Sequence, residues 1–387
     1  MAKTIVFCAD GTWNGPEDAS GESVLECQDI ATELTCNSLT NVVKLYANLA
    51  GAALPGAVGL KDEDEKVLAG ADGQPVQVSK YLHGVGDSTN PLVKVLGGVF
   101  GVGLVARIVR GYTFISRYYD PGDNIHICGF SRGAYTARAL ASVIARVGLL
   151  DPKTYDPDSK MQAYRLGVAA WAKAKNLQLQ GLGRLTETAS TVIGAIEGLL
   201  ASSLDPKNLR PDVPLSSVAV WDTVGSMGIP SYVKGARADI LRFADTVLSP
   251  KVQRGFHAMS VDELRTDFPV TKWEPREGVT QTWFSGAHAD VGGGYAPSES
   301  GLSDLSLSWM LDNLTGLGVK VVNPLTYVPH FATAVSQSIH TPWTNPPFDH
   351  LGRTPRQAAA ADDFHPSVRQ RWKENPGYRP QALQAIW

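Results

Sequence analysis

Apolar residues along this chain gather in short unbroken runs: Thr4–Cys8, Ile125–Cys128, Ser217–Trp221 and Thr280–Phe284, each ending abruptly in small or polar residues. Uninterrupted apolar character suits strands of a parallel sheet covered on both faces, where neither side of the strand meets water. Helical periodicity fills the intervals. Leu39, Val42, Val43, Leu45, Tyr46 and Leu49 line one face of a helix over Leu39–Leu49. Leu104–Tyr119 leads into the second strand, and Ala134–Val147 follows it and stops at Gly148, the residue type that closes helices. Strands alternating with helices predict βαβ units and an α/β, doubly wound, mainly parallel sheet, carried by one domain over residues 1–387.

Two stretches read as additions to that frame. Gly51–Ser79 is rich in Gly, Pro and charge, with Lys61-Asp62-Glu63-Asp64-Glu65-Lys66 at its centre, and reads as a solvated loop excursion. Asp151–Asp212 reads as a helical insertion. Inside it Thr188–Leu204 is nearly uncharged, which fits either a helix packed on the core or a lid over a lipid-binding pocket. The Pro-rich tail from Asn323 reads as an ordered wrapping segment. The polar stretch Asp18–Cys36 has no assigned role.

Composition narrows the function without naming it. The chain has 387 residues, 43% apolar and 19% charged, enough for a large core. A net charge of −3 gives no basic stripe for nucleic acid. Met1-Ala2-Lys3 runs directly into the first strand, so no secretory leader is read there, and no apolar run approaches the roughly 18 residues of a membrane span. Of the four cysteines, Cys8 and Cys128 fall in predicted strands. Cys27 and Cys36 sit together in the polar stretch, where they could pair in an oxidising compartment. No spacing suggests a metal site, and no cofactor is expected. Gly97–Gly103 lacks the preceding strand and the lysine of a phosphate-binding loop.

The chemistry is concentrated in Gly129-Phe130-Ser131-Arg132-Gly133, a Gly-x-Ser-x-Gly turn between strand and helix. Such a turn holds a serine strained above the sheet, the glycines let strand and helix close up, and the N–H of Arg132 is aimed at an oxyanion. A nucleophilic serine needs a base and an orienting acid. His288, in the small-residue segment Gly286-Ala287-His288-Ala289-Asp290-Val291-Gly292-Gly293-Gly294-Tyr295, lies just past a strand end. Asp222 does too, after Val218-Ala219-Val220-Trp221. Sites in open α/β sheets form at the carboxyl ends of strands, and the order serine, acid, histidine is the one an α/β hydrolase uses. Alternatives stay open: Asp222 as an N-cap, Asp290 as the acid or as a supporting carboxylate, and His257, His340 or His365 as the base. His83 reads as structural or pocket-lining. The first strand ends in Asp10-Gly11-Thr12, whose Gly11 or Thr12 N–H could complete an oxyanion hole; Asp10 would orient this loop or pair with Arg132, or the loop is a plain Asx turn.

Together, Ala9-Asp10-Gly11-Thr12-Trp13-Asn14, Thr40-Asn41-Val42-Val43, Gly129–Arg138, Trp221-Asp222-Thr223-Val224 and Gly286–Tyr295 resemble one family, the α/β-hydrolase domain family that includes the type VI secretion phospholipase effectors of the first lipase class. The resemblance spreads over roughly residues 4–300. It implies that Ser131 is the nucleophile with Asp222 and His288 as its partners, and that the activity is an esterase, lipase or phospholipase activity on acyl esters. It further implies peripheral membrane contact, a secretion-apparatus or immunity protein as partner, and either a cytoplasmic location or export without a cleaved signal. An esterase for small soluble esters and a catalytically silent binding module are the competing expectations.

Overall fold

The computed structural model describes residues 2–11, 38–54, 63–83, 101–181 except 157, 204–224, and 246–387 except 333, 347 and 351; side chains of 101–103 and 178–181 are not included. Thr12, the Cys27 and Cys36 pair, most of Gly97–Gly103 and the apolar stretch 188–203 therefore lie outside the described residues.

The chain builds a nine-stranded sheet in the order β11-β10-β9-β8-β5-β1-β4-β3-β2. The strands are β1 (Thr4–Ala9), β2 (Ala52–Ala53), β3 (Glu63–Ala69), β4 (Pro75–Leu82), β5 (Asn124–Phe130), β8 (Leu215–Trp221), β9 (Val252–Ser260), β10 (Val279–Phe284) and β11 (Asp363–Phe364). From β4 through to β11 every neighbouring pair is parallel. Among the described strands of this sheet only β3 runs against the rest, pairing antiparallel with β4 on one side and β2 on the other. This is the mainly parallel α/β sheet that the apolar runs predict.

The β1 strand explains why those runs are continuous. Ile5, Phe7 and Ala9 face one core cluster while Val6 and Cys8 face another, and all five are fully buried. On the first face lie α2 (Gly101–Tyr118), α3 (Arg132–Val147) and α4 (Lys160–Gly181). On the second lie α1 (Asn41–Asn48) and α6 (Gly301–Gly316). Helix α1 starts at Thr40, whose hydroxyl accepts from the Val43 N–H, and α3 ends at Gly148 with φ 83°, a conformation that costs glycine nothing.

The reading of Gly51–Ser79 as a loop needs correction. Residues 63–69 and 75–79 are sheet, with Glu63 to Leu68 in register opposite Leu82 to Gln77. The charges that suggested solvent are paired instead: Lys80 reaches Glu63 at 2.7 Å and Glu65 at 2.9 Å. The Lys66 ammonium donates to the carbonyls of Tyr46 (2.9 Å) and Ala47 (3.2 Å), at the carboxyl end of α1. A charged ribbon at an edge also deters pairing with a further strand.

The helical insertion is closed at its base by a short antiparallel ladder, β6 (Leu149–Leu150) with β7 (Leu209–Arg210). Beyond β10 the tail packs a third apolar cluster of Met259, Val261, Trp283, Phe364, Val368 and Leu383 against the far end of the sheet.

Candidate active site

Ser131 stands between β5 and α3 with φ 57° and ψ −121°, a strained backbone for a residue with a side chain. Its neighbours show why glycines flank it. A Cβ on Gly129 would lie 2.4 Å from the Gly133 carbonyl oxygen, and one on Gly133 would lie 2.1 Å from that of Ala9. Strand, turn and helix can therefore pack this tightly only without those two side chains. Arg132 is the first residue of α3, at the end of the helix whose N–H groups point outward and whose dipole favours developing negative charge. The Arg132 side chain is held down to about 10, by burial and then by the neighbouring Arg107 charge.

Asp222 follows β8 with φ 33° and is fully buried. Its Oδ1 accepts the Ser260 N–H at 3.0 Å. Its Oδ2 accepts three groups: Ser260 Oγ at 3.0 Å, Arg356 at 3.0 Å and His288 Nδ1 at 2.6 Å. Burial pushes this carboxyl up. The Arg356 charge, the His288 and Ser260 hydrogen bonds outweigh it and hold the group well below the ordinary carboxylate range. An ionised Asp222 fixes the proton of His288 on Nδ1. The other nitrogen, Nε2, is buried and accepts nothing among the described residues, Ser131 Oγ included. His288 is itself lowered from its usual value, by burial first, with Asp222 opposing.

The imidazole is packed beside the nucleophile turn. The ring of Phe130, next to Ser131 in the chain, lies 4.6 Å from it at 33°, and Phe268 meets it edge-on at 5.2 Å. His288 begins a short helix, α5 (His288–Gly292), rather than a loop, and its N–H donates to Glu263 Oε2 at 3.1 Å. Glu263 is in turn gripped by Arg265 through both carboxylate oxygens (2.9 and 2.8 Å). Gly292 must be glycine, because a Cβ there would come within 1.9 Å of the Phe130 ring.

The alternatives separate by geometry. Asp290 does not meet His288: its carboxylate accepts the N–H groups of Ala287 (2.9 Å) and His340 (3.1 Å) and pairs with His340 Nδ1 at 2.6 Å. His340 stacks on Tyr295 at 3.5 Å. His257 accepts the Thr223 N–H on Nε2 and is pushed down to about 3 by burial, so it is neutral and committed. His365 lies over Phe284 at 4.7 Å and shares a 2.8 Å hydrogen bond with Ser367. His83 meets the Tyr81 hydroxyl at 3.2 Å.

Asp10 is buried and ties its loop together. It accepts Gly11 N–H at 2.7 Å, Tyr81 OH at 2.8 Å and Thr40 Oγ1 at 2.9 and 2.8 Å, while its backbone carbonyl accepts from Arg107. Its carboxyl is raised by burial. Gly11 sits against the nucleophile, where a Cβ would be 3.4 Å from that of Ser131. Its N–H, one of the two that the sequence offered for an oxyanion hole, donates to Asp10 here. The other, that of Thr12, lies outside the described residues.

Sequence reasoning missed the supporting shell. Ser260 and Glu263 stand at and just past the end of β9, a strand whose sequence Val-Gln-Arg-Gly-Phe-His-Ala-Met-Ser breaks its apolar run with charge. Arg356 lies in an irregular stretch with no periodicity to mark it. No group of three or more His, Cys, Asp or Glu side chains among the described residues is arranged to hold a metal ion. Nor is any helix there long and apolar enough to cross a membrane.

A parallel α/β sheet with a strained serine turn at the carboxyl end of a central strand defines the α/β-hydrolase class. Residues 3–313 match the family model described as T6SS, phospholipase effector Tle1-like, catalytic domain, and the chain belongs to that family. Membership supports a hydrolase of the lipase or phospholipase type. An uncharacterized protein of Saccharomyces cerevisiae, YEL023C, is 30% identical over 265 residues, which is 66% of this chain and 33% of that one, so the chain spans about a third of that relative. A crystal structure of an uncharacterized protein from Pseudomonas aeruginosa is similar with TM-score 0.40 and 17% identity, over 87% of this chain and 49% of the other. The Tle1 effector bound to the VgrG spike from the type 6 secretion system is similar with TM-score 0.38 and 18% identity, over 78% and 53%.

Proposed function

We propose that the protein is a serine carboxylester hydrolase of the phospholipase A or lysophospholipase kind, working through Ser131, His288 and Asp222. The observation that carries this reading is the 2.6 Å contact of a buried, ionised Asp222 with His288 Nδ1, which leaves Nε2 uncommitted beside the nucleophile turn. In the reaction, Nε2 accepts the Ser131 Oγ proton as Oγ attacks the acyl carbonyl, and an acyl-enzyme forms as the alcohol leaves with that proton. Water, activated by the same nitrogen, then releases the fatty acid. The Arg132 N–H at the start of α3 stabilises the oxyanion, with Gly11 or Thr12 as the second donor. Ser131 and His288 are not yet in hydrogen-bond contact, a looseness common before substrate binds.

Family membership favours lipid over small soluble esters as substrate, and a secretion-apparatus or immunity protein as partner. Hydrolysis of phosphatidylcholine vesicles beside a series of nitrophenyl esters of increasing chain length tests the reading. Fatty-acid release from vesicles that disappears in Ser131→Ala is expected; turnover of acetate esters alone would move the assignment to a small-ester esterase, and no turnover of any ester to a binding module.

A further inference from the structure

Among the described residues, Arg356 is the one arginine or lysine bonded to Asp222, the proposed acid. It arrives from the irregular C-terminal stretch, 134 positions from Asp222 in sequence, and is almost wholly buried. Its guanidinium donates to Oδ2 of Asp222, the same oxygen that accepts His288 Nδ1. Nothing in orienting an imidazole requires this: Ser260 already fixes Asp222 through two hydrogen bonds, one to each carboxylate oxygen. Burying a guanidinium is costly unless its charge is used, and the charge has a definite consequence here. Asp222 favours the protonated imidazole. A cation on the same oxygen offsets that anion and opposes protonation of His288.

We infer that Arg356 is a positioning residue that acts through Asp222 to set the lower pH limit at which His288 can serve as a base. This rests on the proposed roles of Asp222 and His288. The other charges around the imidazole act on it directly rather than through Asp222. Glu263, after β9, touches the His288 N–H and favours protonation, while Arg265 opposes it but is bound through both terminal contacts to Glu263. Asp290, on the same short helix, is paired with His340. His257, which feels the Asp222 charge, stays neutral. That leaves Arg356 as the cation that neutralises the acid directly. The downward displacement of His288 comes from burial first, with Arg265 the cation that opposes its protonation directly; Arg356 acts one step removed, on the charge of Asp222.

The sign follows. Removing the Arg356 charge leaves Asp222 less compensated, so the imidazole holds its proton to higher pH and the fraction competent as base at pH 6 to 7 falls. A charge at this range moves a neighbouring group by about one to three pH units, and one unit is about a tenfold change in proton affinity. Asp222 stays ionised in the variant because Ser260 and His288 still bond to it.

The test uses the full chain with Arg356→Gln, Arg356→Lys and, to keep the apolar stem if Gln does not fold, Arg356→Met, each checked by thermal unfolding. Two quantities are followed from pH 5 to 9: the rate of Ser131 labelling by a fluorophosphonate, and the titration of the His288 ring by NMR of histidine-labelled protein, assigned with His288→Gln. The expected result is an acid limb and a ring titration both displaced upward by about one pH unit in the Gln or Met variant, and close to wild type in the Lys variant. A folded, charge-neutral variant that reacts more slowly but titrates at the wild-type pH would overturn the inference and reduce Arg356 to a tether for the tail. Absence of Ser131 labelling in the wild-type protein would instead sink the hydrolase reading, while the ring titration would still decide the role of Arg356.

Discussion

Asp222→Asn is the substitution whose cost the structure fixes most tightly. Oδ1 of Asp222 accepts the Ser260 N–H, so the amide oxygen of an asparagine must take that position. The amide nitrogen then falls where Oδ2 was, facing His288 Nδ1, Ser260 Oγ and the Arg356 guanidinium. An NH₂ group there can only donate. It obliges Nδ1 to accept, which places the imidazole proton on Nε2, the nitrogen that must be bare to take a proton from Ser131. It also sets donor against donor at Arg356. In well-studied triads the wrong tautomer costs about 10⁴-fold in kcat, and at 1.36 kcal/mol per tenfold that is about 5.4 kcal/mol of transition-state stabilisation. The assay is kcat/KM for a chromogenic acyl ester, with the fluorophosphonate labelling rate as an independent check. Asp290→Asn is the control, because that carboxylate caps α5 and holds His340 without touching His288. It should cost less than about tenfold in rate, together with about 1–3 kcal/mol of stability for its disrupted buried hydrogen bonds. A crippled Asp290→Asn beside a mild Asp222→Asn would refute the assignment of the acid.

Three further outcomes follow from the same geometry. Ser131→Ala should abolish fluorophosphonate labelling and cost several orders of magnitude in turnover while the thermal unfolding midpoint stays near wild type; labelling retained elsewhere on the chain would remove Ser131 from its role. Gly133→Ala should lower the unfolding midpoint sharply, because its Cβ would stand 2.1 Å from the Ala9 carbonyl oxygen, and a variant as stable as wild type by calorimetry would contradict the packing of this turn. The bond to Asp290 raises the pKa of His340, so its contribution is fully present below the unfolded value of about 6.5 and is lost as pH rises through the folded one. His340→Gln should therefore lower the unfolding midpoint more at pH 5.5 than at pH 8.5, and equal losses at both would show that the contact is not ionic.

How much of this was legible beforehand depended on whether a residue's signal was local. The strands β1, β5, β8 and β10 were visible because burial on both faces leaves an unbroken apolar run. Ser131 was visible because its turn needs glycine at two fixed offsets. Asp222 and His288 stood out as candidates because each lies just past the end of such a strand, and the structure brings the two side chains together. The strand β9 lay hidden because Gln253 and Arg254 are exposed near its start. The strand β3, next to the sheet's edge, lay hidden because its charges are satisfied by Lys80 and by the end of α1, contacts that no window of sequence contains. At Gly11 the place beside Ser131 was readable, but the bond of its N–H to the preceding side chain was not.

The residues that escaped sequence reasoning share one task, which bears on how the site holds together. Ser260, Glu263 and Arg356 do not meet the substrate in the proposed reaction; they hold the two side chains that define the base. Ser260 and Arg356 bind Asp222, and Glu263 binds the backbone of His288. Ser260 ends β9 and the other two follow it, all beyond the strand that carries Asp222. The Ser131 turn, by contrast, rests on the two strands beside β5: Gly133 packs on the Ala9 and Asp10 carbonyls at the end of β1, and the Ser131 N–H donates to the Trp221 carbonyl at the end of β8 at 3.1 Å. The tail thus reaches the proposed acid directly, through Arg356, while the serine turn rests on the sheet. A destabilised tail should accordingly slow the base before it disturbs the serine turn. Arg371→Ala provides that perturbation, because its guanidinium bonds the Ala334 and Gln337 carbonyls within the tail and contacts neither Ser131 nor His288. It should reduce ester turnover while hydrogen exchange of the α3 amides stays at the wild-type rate. Faster exchange in α3 at the same extent as in the tail would show that the tail and the serine turn unfold together and that this order is wrong.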